Sequence, residues 1–352
     1  MGKNNSKNVE VYCGIDFHKN TSTLCMLDRN GDDVEPITTM KTSLLVRFLG
    51  NRKDWKIGVE ASGGVNHLVE QLKSQKHEVI IINSNKFRGI GIGGKKTDER
   101  DARALADALR LSFVPEVHHR SVYSRQIKSL LTTREHVVRA RVDSMNHVRG
   151  TLREYGITMP AGAVNFYKEA RAKIETIDCV GIRESLVLVF ENIGRYLEQE
   201  KAVEAQVREL TKNDERVVRL QTIPGVGIMT TLMMIAVIDD IGRFPNAREF
   251  ASYLGLIPSV HASANTRMMG AITRSGSEML RRYLVHGARA WMRYSPKADR
   301  NRIWAEKVKE RRGMNKATVA LAHRMARICF AVLRDGSQYR APAVSRAEKA
   351  AA

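Results

Sequence analysis

Four acidic residues in the first third of the chain have the types and positions of a metal site. Asp16 ends an apolar run, residues 11–16, that reads as a buried strand, and Glu60 ends a second such run. Asp98 and Asp101 begin a helical pattern and share one helix face. A carboxylate at the end of a core strand is costly unless it has a partner. The expected cofactor is therefore Mg²⁺ or Mn²⁺, and the expected chemistry is on phosphate.

Alternating strands and helices are predicted around these acids. Strands are expected at 9–17, 21–28, 34–40, 56–60 and 77–83, and helices at 43–49, 66–74 and 97–110. The segment Arg29-Asn-Gly-Asp32, which follows the second strand, is a turn signal of hairpin type. A hairpin followed by crossovers predicts a mixed α/β sheet covered by helices, in which the four acids fit a ribonuclease-H-like arrangement.

The remainder of the chain is predicted to be helical. Apolar residues recur about every 3.5 positions over 127–152 and 186–210, which indicates a long coiled-coil hairpin that either packs on itself or dimerises. A mostly helical unit with a Pro224-Gly turn follows from about residue 220. We expect domains at 9–120, 121–215 and 216–340, and a disordered tail at 341–352.

Charge points to nucleic acid as the partner. The chain has a net charge of +20, and residues 241–352 hold 22 lysine and arginine residues against 7 acidic ones, a local balance of +15. Seventeen of those 22 are arginine, which suits bidentate phosphate contact. The four scattered cysteines favour a reducing cytosol, and no apolar run reaches the length of a membrane span.

Two further motifs lie in the basic third or beside it. Pro224-Gly-Val-Gly227 resembles a helix–hairpin–helix turn whose amides would bind a DNA phosphate, and a purely structural turn is the competing interpretation. Ser263, near Arg267 and Arg274, could attack a phosphodiester, although other serines compete with it. The candidate nucleic-acid contacts are Lys95, Lys96, Gly225, Gly227, Arg267 and Arg274.

Together these residues resemble the DEDD transposases of the insertion-sequence family one-ten, which are bridge-RNA-guided recombinases. The motifs that carry the resemblance are Gly14-Ile-Asp16 with Lys19, Val59-Glu60-Ala-Ser-Gly63, Lys96-Thr-Asp98-Glu-Arg-Asp101-Ala-Arg-Ala-Leu-Ala106, Ile223-Pro-Gly-Val-Gly227, Ala251-Ser-Tyr-Leu-Gly-Leu-Ile-Pro258, and Ser263. One departure is Ala264, where the family commonly has glycine.

The resemblance implies roles for these positions. Asp16, Glu60, Asp98 and Asp101 would bind metal in a domain similar to the RuvC resolvase, and Ser263 would form a phosphoserine link to DNA. A structured non-coding RNA would pair with target and donor DNA. The active site would combine the acidic domain of one protomer with the serine domain of another, in a dimer or tetramer in the bacterial cytosol.

Other functions remain open from the residues alone. A metal-dependent endonuclease or junction resolvase would use the acids without a covalent intermediate. A non-enzymatic nucleic-acid-binding protein would need neither the four acids nor a serine nucleophile. An actin-like phosphotransferase would require glycine-rich phosphate loops that the sequence lacks in the required context. A tyrosine recombinase could use Arg267, His286 and Tyr294, but it would leave the acids without a role.

Overall fold

The computed structural model describes residues 11–50, 52, 55–83, 97–263 and 266–341, and the side chains of residues 261–267 lie outside that description. The chain divides into two compact units, residues 1–119 and 120–352. Lys95, Lys96 and the predicted tail from residue 342 onward lie outside the described residues.

The described part of the first unit contains a mixed six-stranded sheet. Its strands are Val11–Phe17 (β1), Thr21–Leu27 (β2), Asp33–Lys41 (β3), Trp55–Glu60 (β4), Glu78–Ile82 (β5) and Glu116–Val117 (β6). The spatial order is β3-β2-β1-β4-β5-β6; β1 is parallel to β4 and β4 to β5, and the other pairs are antiparallel. The predicted mixed sheet is confirmed.

Helices cover both faces of this sheet. They are Thr42–Gly50 (α1), Val65–Ser74 (α2) and Asp98–Arg110 (α3). Because side chains alternate along a strand, Cys13 and Ile15 of β1 face the core formed with α1 and α2. Gly14 and Asp16 face the opposite side, on which Ala102 of α3 packs. The metal-site candidates therefore lie on the α3 side.

The described part of the second unit is helical apart from one β-hairpin. Its helices are Val122–Glu154 (α4), Ala163–Glu175 (α5), Val180–Thr211 (α6), Glu215–Gln221 (α7), Ile228–Ile238 (α8), Ala247–Tyr253 (α9), Glu278–Tyr294 (α10), Arg300–Arg312 (α11) and Met314–Asp335 (α12). The hairpin strands are Pro258–Ser263 (β7) and Thr266–Ile272 (β8).

The two long helices α4 and α6 of one chain pack against each other. Arg134 of α4 forms ion pairs with Glu200 at 2.7 Å and Glu204 at 2.6 Å, and Arg141 forms one with Glu200 at 3.1 Å. The predicted connection between them contains α5, whose Phe166 is buried in a small core at the far end of the pair.

The other end of the α4–α6 pair belongs to the core of the C-terminal helices. Ile127 and Leu131 of α4 and Val207 of α6 pack with residues of α8, α10 and α12. Residues 230–238 of α8 are buried without exception, since this helix is surrounded by the others. None of the described helices has the length and apolar character needed to cross a membrane.

Candidate metal centre and serine hairpin

Strand register brings Asp16 and Glu60 side by side. In the parallel pair β1–β4, Ile15 is opposite Val59, so Asp16 and Glu60 follow at the same end of neighbouring strands and on the same face. Thr23 of β2 is paired with Asp16 on its other side. The carboxyl ends of two adjacent central strands thus present two acids to α3.

Helix α3 supplies the other two acids from its first turn. Thr97 caps the helix by accepting a hydrogen bond from the backbone N–H of Arg100. Asp98 precedes Ala102 by four residues and Asp101 precedes Leu105 by four, so both acids lie on the helix face that packs on the sheet. The predicted helix start and shared face of Asp98 and Asp101 are confirmed.

Two paired glycines determine how closely α3 approaches the sheet. A Cβ at Gly14 would lie 2.1 Å from the carbonyl oxygen of Ala102, and a Cβ at Gly58 would lie 2.7 Å from Leu109. These glycines are opposite each other in the β1–β4 pair. Backbone-to-backbone packing at Gly14 is therefore what places Asp98 beside Asp16.

The geometry at Asp16 is that of a potential metal site. Asp16 is only 4% exposed, and its Oδ2 lies 3.2 Å from Nε2 of His18. One ligand atom each from Asp16, His18 and Asp98 lie within 4.8 Å of one another. This set combines one buried carboxylate, one exposed carboxylate and one imidazole, which fits a divalent cation.

The other three acids all act electrostatically on Asp16. Burial raises the pKa of the Asp16 carboxyl; His18 opposes that effect, whereas Asp98, Asp101 and Glu60 add to it. The like charges around this buried carboxyl would be offset by a positive charge. A bound cation would supply that charge, and the residues present therefore fit Mg²⁺ or Mn²⁺.

Sequence reasoning missed His18. It lies two residues beyond Asp16, at the exit of β1, and the alternation of a strand predicts that these two side chains point the same way. That spacing is the signal that could have identified it.

Ser263 is the last residue of β7, whereas the sequence predicted a mostly helical unit in this part of the chain. Its backbone is paired with Thr266 of β8. The hairpin was missed because the surrounding sequence reads as helical and its strands alternate only weakly. The side chains of Ser263 and Arg267 lie outside the described residues, and Ser263 belongs to the second unit.

The Pro224-Gly-Val-Gly227 turn has a clear packing role. Gly225 has φ +77°, and a Cβ there would lie 2.2 Å from the carbonyl oxygen of Gly287 in α10. Gly227, by contrast, is exposed and begins α8 with open space around it. Arg274 is exposed with φ +57°, in the turn that follows β8.

Comparison with known proteins assigns the chain to a family. Residues 217–302 match the model described as "Transposase IS116/IS110/IS902 family", and residues 13–157 match a DEDD model of the IS110 type described as "Transposase".

Similar proteins span nearly the whole chain. The transposase for insertion sequence element IS1111A of Coxiella burnetii is 33% identical over 93% of this chain and 90% of its own length. The transposase for IS1328 of Yersinia enterocolitica is 25% identical over 93% and 97% of the two chains. The pilin gene-inverting protein of Moraxella lacunata is 25% identical over 77% and 80%. The chain belongs to the IS116/IS110/IS902 family of insertion-sequence transposases.

Proposed function

We propose that this transposase cuts and rejoins DNA with a site built from two halves, an acidic metal centre in the first unit and Ser263 in the second. The observation that carries the proposal is the convergence of Asp16, Glu60, Asp98 and Asp101 at one end of the sheet. The first unit then works as a RuvC-like, ribonuclease-H-like domain; the strand order, with an antiparallel hairpin beside parallel strands, supports that assignment.

The metal half holds and orients a scissile phosphate. Asp16, Asp98 and His18 offer ligand atoms to one divalent cation, and Glu60 and Asp101 add charge to the same cluster. A bound Mg²⁺ or Mn²⁺ supplies charge that stabilises the negative oxygens of the phosphodiester. Burial of Asp16 excludes water from one side of the cluster, and Gly14 keeps α3 close enough for the acids to act together.

The serine half performs the covalent step. The Oγ of Ser263 attacks phosphorus, a phosphoserine bond forms, and the bond to the leaving deoxyribose oxygen breaks while the serine proton passes to solvent. The leaving oxygen takes up a proton from solvent, so the leaving strand ends in a free hydroxyl. In the reverse step a hydroxyl of the new partner strand attacks the phosphoserine and regenerates Ser263, so the energy of the phosphodiester bond is conserved.

Site choice and assembly complete the proposal. A bridge RNA from the same element pairs with target and donor DNA, and a dimer or tetramer joins the acidic unit of one protomer to the serine unit of another in the bacterial cytosol. The family resemblance and the local charge of +15 in residues 241–352 support nucleic-acid partners. The inverting activity named for the Moraxella relative supports rejoining after cleavage, since an inversion requires both.

The second candidate function is that of a metal-dependent endonuclease or junction resolvase. The acid cluster favours it equally, because four carboxylates could activate water for hydrolysis without Ser263. The two functions differ in one product, which is a protein covalently linked to DNA.

The experiment traps that product. Wild-type protein is incubated with Mg²⁺, labelled junction DNA and RNA transcribed from the flanking non-coding segment, then denatured and separated by gel electrophoresis. We expect labelled protein for the wild type and for the control Ser259→Ala, and none for Ser263→Ala or Asp16→Asn. Cleavage by Ser263→Ala at the wild-type rate would establish the nuclease instead. Full activity without the RNA would remove RNA guidance from the proposal.

A further inference from the structure

A groove in the second unit has no role in the proposal above. It has a volume of about 800 Å³ and is lined by one face of α12, by the residues that lead into α9 and by those that follow α12. Arg324, Arg327 and Arg334 share that face of α12 because they recur at intervals of three and seven residues. We call this recess the arginine groove, after the lining residues Arg324, Arg327, Arg334, Arg340, Asn246 and Gln338.

Two of its four guanidinium groups are held in place by neutral partners. The Nη1 of Arg334 donates to the carbonyl oxygens of Phe244 and Pro245, both at 3.1 Å. The guanidinium carbon of Arg324 lies 5.0 Å from the ring centre of Trp304. Carbonyl oxygens and aromatic rings orient a guanidinium without cancelling its charge. The groove therefore contains positive charge at positions that are fixed before a ligand arrives.

The positive charge is also open to solvent and in excess. Arg327, Arg334 and Arg340 are exposed, and Arg324 is half-buried. Among the lining residues that the structure describes, Asp335 is the only acid. Within the described part of the chain, no carboxylate forms an ion pair with any of the four arginines. Such an excess suits a ligand that carries several negative charges, and arginine in particular suits phosphate.

Amide groups in the groove add hydrogen-bond donors to this charge. The Oδ1 of Asn246 caps α9 by accepting hydrogen bonds from the backbone N–H groups of Arg248 and Glu249, both at 2.9 Å. Its amide nitrogen is thereby left to donate to a ligand, because Asn246 is exposed and lines the groove. Gln338, also exposed, offers a second amide from the other wall.

The wall formed by residues 337–340 is anchored to the rest of the unit. The backbone N–H of Tyr339 donates to Oγ1 of Thr222 at 2.9 Å, and its hydroxyl accepts from Nδ2 of Asn301 at 3.0 Å. Its ring packs edge-on against Trp291 at a centre distance of 6.0 Å. The groove is therefore already formed, and binding does not require this segment to become ordered.

Size and chemistry together indicate an unpaired polynucleotide. A volume of about 800 Å³ lies within the range of small-ligand sites, so the groove admits individual nucleotides and excludes a duplex. Amides hydrogen-bond to base edges that are free only in a single strand, and guanidinium planes stack on unpaired bases. A duplex would present its phosphates alone and would leave both amides without a role.

We propose that the arginine groove binds single-stranded DNA, namely the strand released when Ser263 attacks. The inference rests on the proposed function. In that reaction the leaving strand has no covalent link to the protein, so it must be held by other contacts until it is rejoined. Asn246 directly precedes α9, and only four residues separate α9 from β7, which ends at Ser263. DNA is favoured over RNA because the released strand is produced on the same unit as the groove.

The test measures binding without chemistry. The full-length protein in EDTA is titrated, at several salt concentrations, with a fluorescent blunt duplex and with the same duplex extended by a single strand of about eight nucleotides. Each phosphate contact on a single strand contributes about 0.7 to the slope of log affinity against log salt. The double substitution Arg327→Gln/Arg340→Gln is expected to reduce the slope for the extended duplex by about 1.4 and to leave the blunt duplex unchanged. Arg208→Gln, at an exposed position of α6 outside the groove, is the control and should change neither slope.

Asn246→Asp separates ligand binding from folding. Aspartate caps a helix as well as asparagine does, so the thermal midpoint should not change. The substitution replaces the outward donor by a negative acceptor, and we expect binding of the extended duplex to weaken about five- to ten-fold.

Three results would overturn the inference. One is a wild-type slope for the double variant together with wild-type affinity for Asn246→Asp. Another is an equal loss of slope for the blunt and extended duplexes, which would make the groove a duplex contact. The third is a loss confined to a duplex whose extension is RNA. Because cleavage is absent in EDTA, none of these depends on whether Ser263 is the nucleophile, which the trapping experiment decides separately.

Discussion

Removing one carboxylate from the acid cluster should stabilise the metal-free protein. Ligand oxygens of Asp16 and Asp98 lie within 4.8 Å, and Asp16 is buried while Asp98 is exposed. Two unit charges at that separation repel by about 1 kcal/mol in water and by about 3 kcal/mol at the effective dielectric of a protein surface. Asp98→Asn keeps the shape of the side chain and removes this repulsion.

Glu99→Gln is the matched control for this substitution. Glu99 also lies in the first turn of α3 and is exposed, so its loss removes the same favourable interaction with the helix N-terminus without relieving the cluster. In EDTA we expect Asp98→Asn to be more stable than Glu99→Gln by about 1 to 3 kcal/mol, or roughly 4 to 12 °C in the midpoint of the first unit measured by calorimetry.

Mg²⁺ should reverse this order. Metal at 100 times its dissociation constant stabilises a protein by about 2.7 kcal/mol, and Asp98→Asn should lose most of that gain while Glu99→Gln keeps it. The stability of the metal-free protein should fall as pH rises. Because the pKa of Asp16 is raised by folding, its ionisation destabilises the apo protein as pH rises through that pKa, and the advantage of Asp98→Asn disappears at lower pH. Equal stability of the two variants in EDTA, with equal gains from Mg²⁺, would refute the reasoning.

Three other predictions concern packing, metal choice and thiol reactivity. Gly14→Ala should destabilise the first unit by about 1 to 3 kcal/mol and weaken Mg²⁺ binding although all four acids remain, whereas Gly63→Ala, which meets no neighbour, should do neither in the same unfolding and metal titrations. His18→Ala should weaken Mn²⁺ binding more than Mg²⁺ binding by calorimetric titration, since imidazole favours transition metals; equal losses would exclude His18 as a ligand. Iodoacetamide at pH 8 should label exposed Cys179 first, and mass spectrometry should find Cys25 protected, because burial raises the pKa of its thiol to about 11; rapid labelling of Cys25 in the folded protein would contradict its burial.

Local patterns predicted much of the first unit. The strands carrying Asp16 and Glu60 and the helix start at Asp98 were readable because apolar alternation and capping residues act over a few positions. Local patterns did not predict how closely α3 packs on β1. It depends on Gly14 meeting Ala102, a contact between residues far apart in sequence.

In the second unit, the sequence predicted the long helices but not the shorter elements. The long periodic helices α4 and α6 were predicted from their apolar spacing, whereas α5 and the β7–β8 hairpin were not. A short strand pair has too few residues to establish a period, and its pairing is decided by its partner strand and by the turn that rests on α9.

The sequence by itself determined the four acids, the basic C-terminal third and the long helices, because these are properties of residue type and local spacing. Only the tertiary structure decided that His18 lies beside the acids and that Gly14 and Gly58 allow α3 to pack closely on the sheet. Each of these depends on which distant segments pack together. The sequence therefore identifies the residues of the acid cluster, and the tertiary structure determines their geometry.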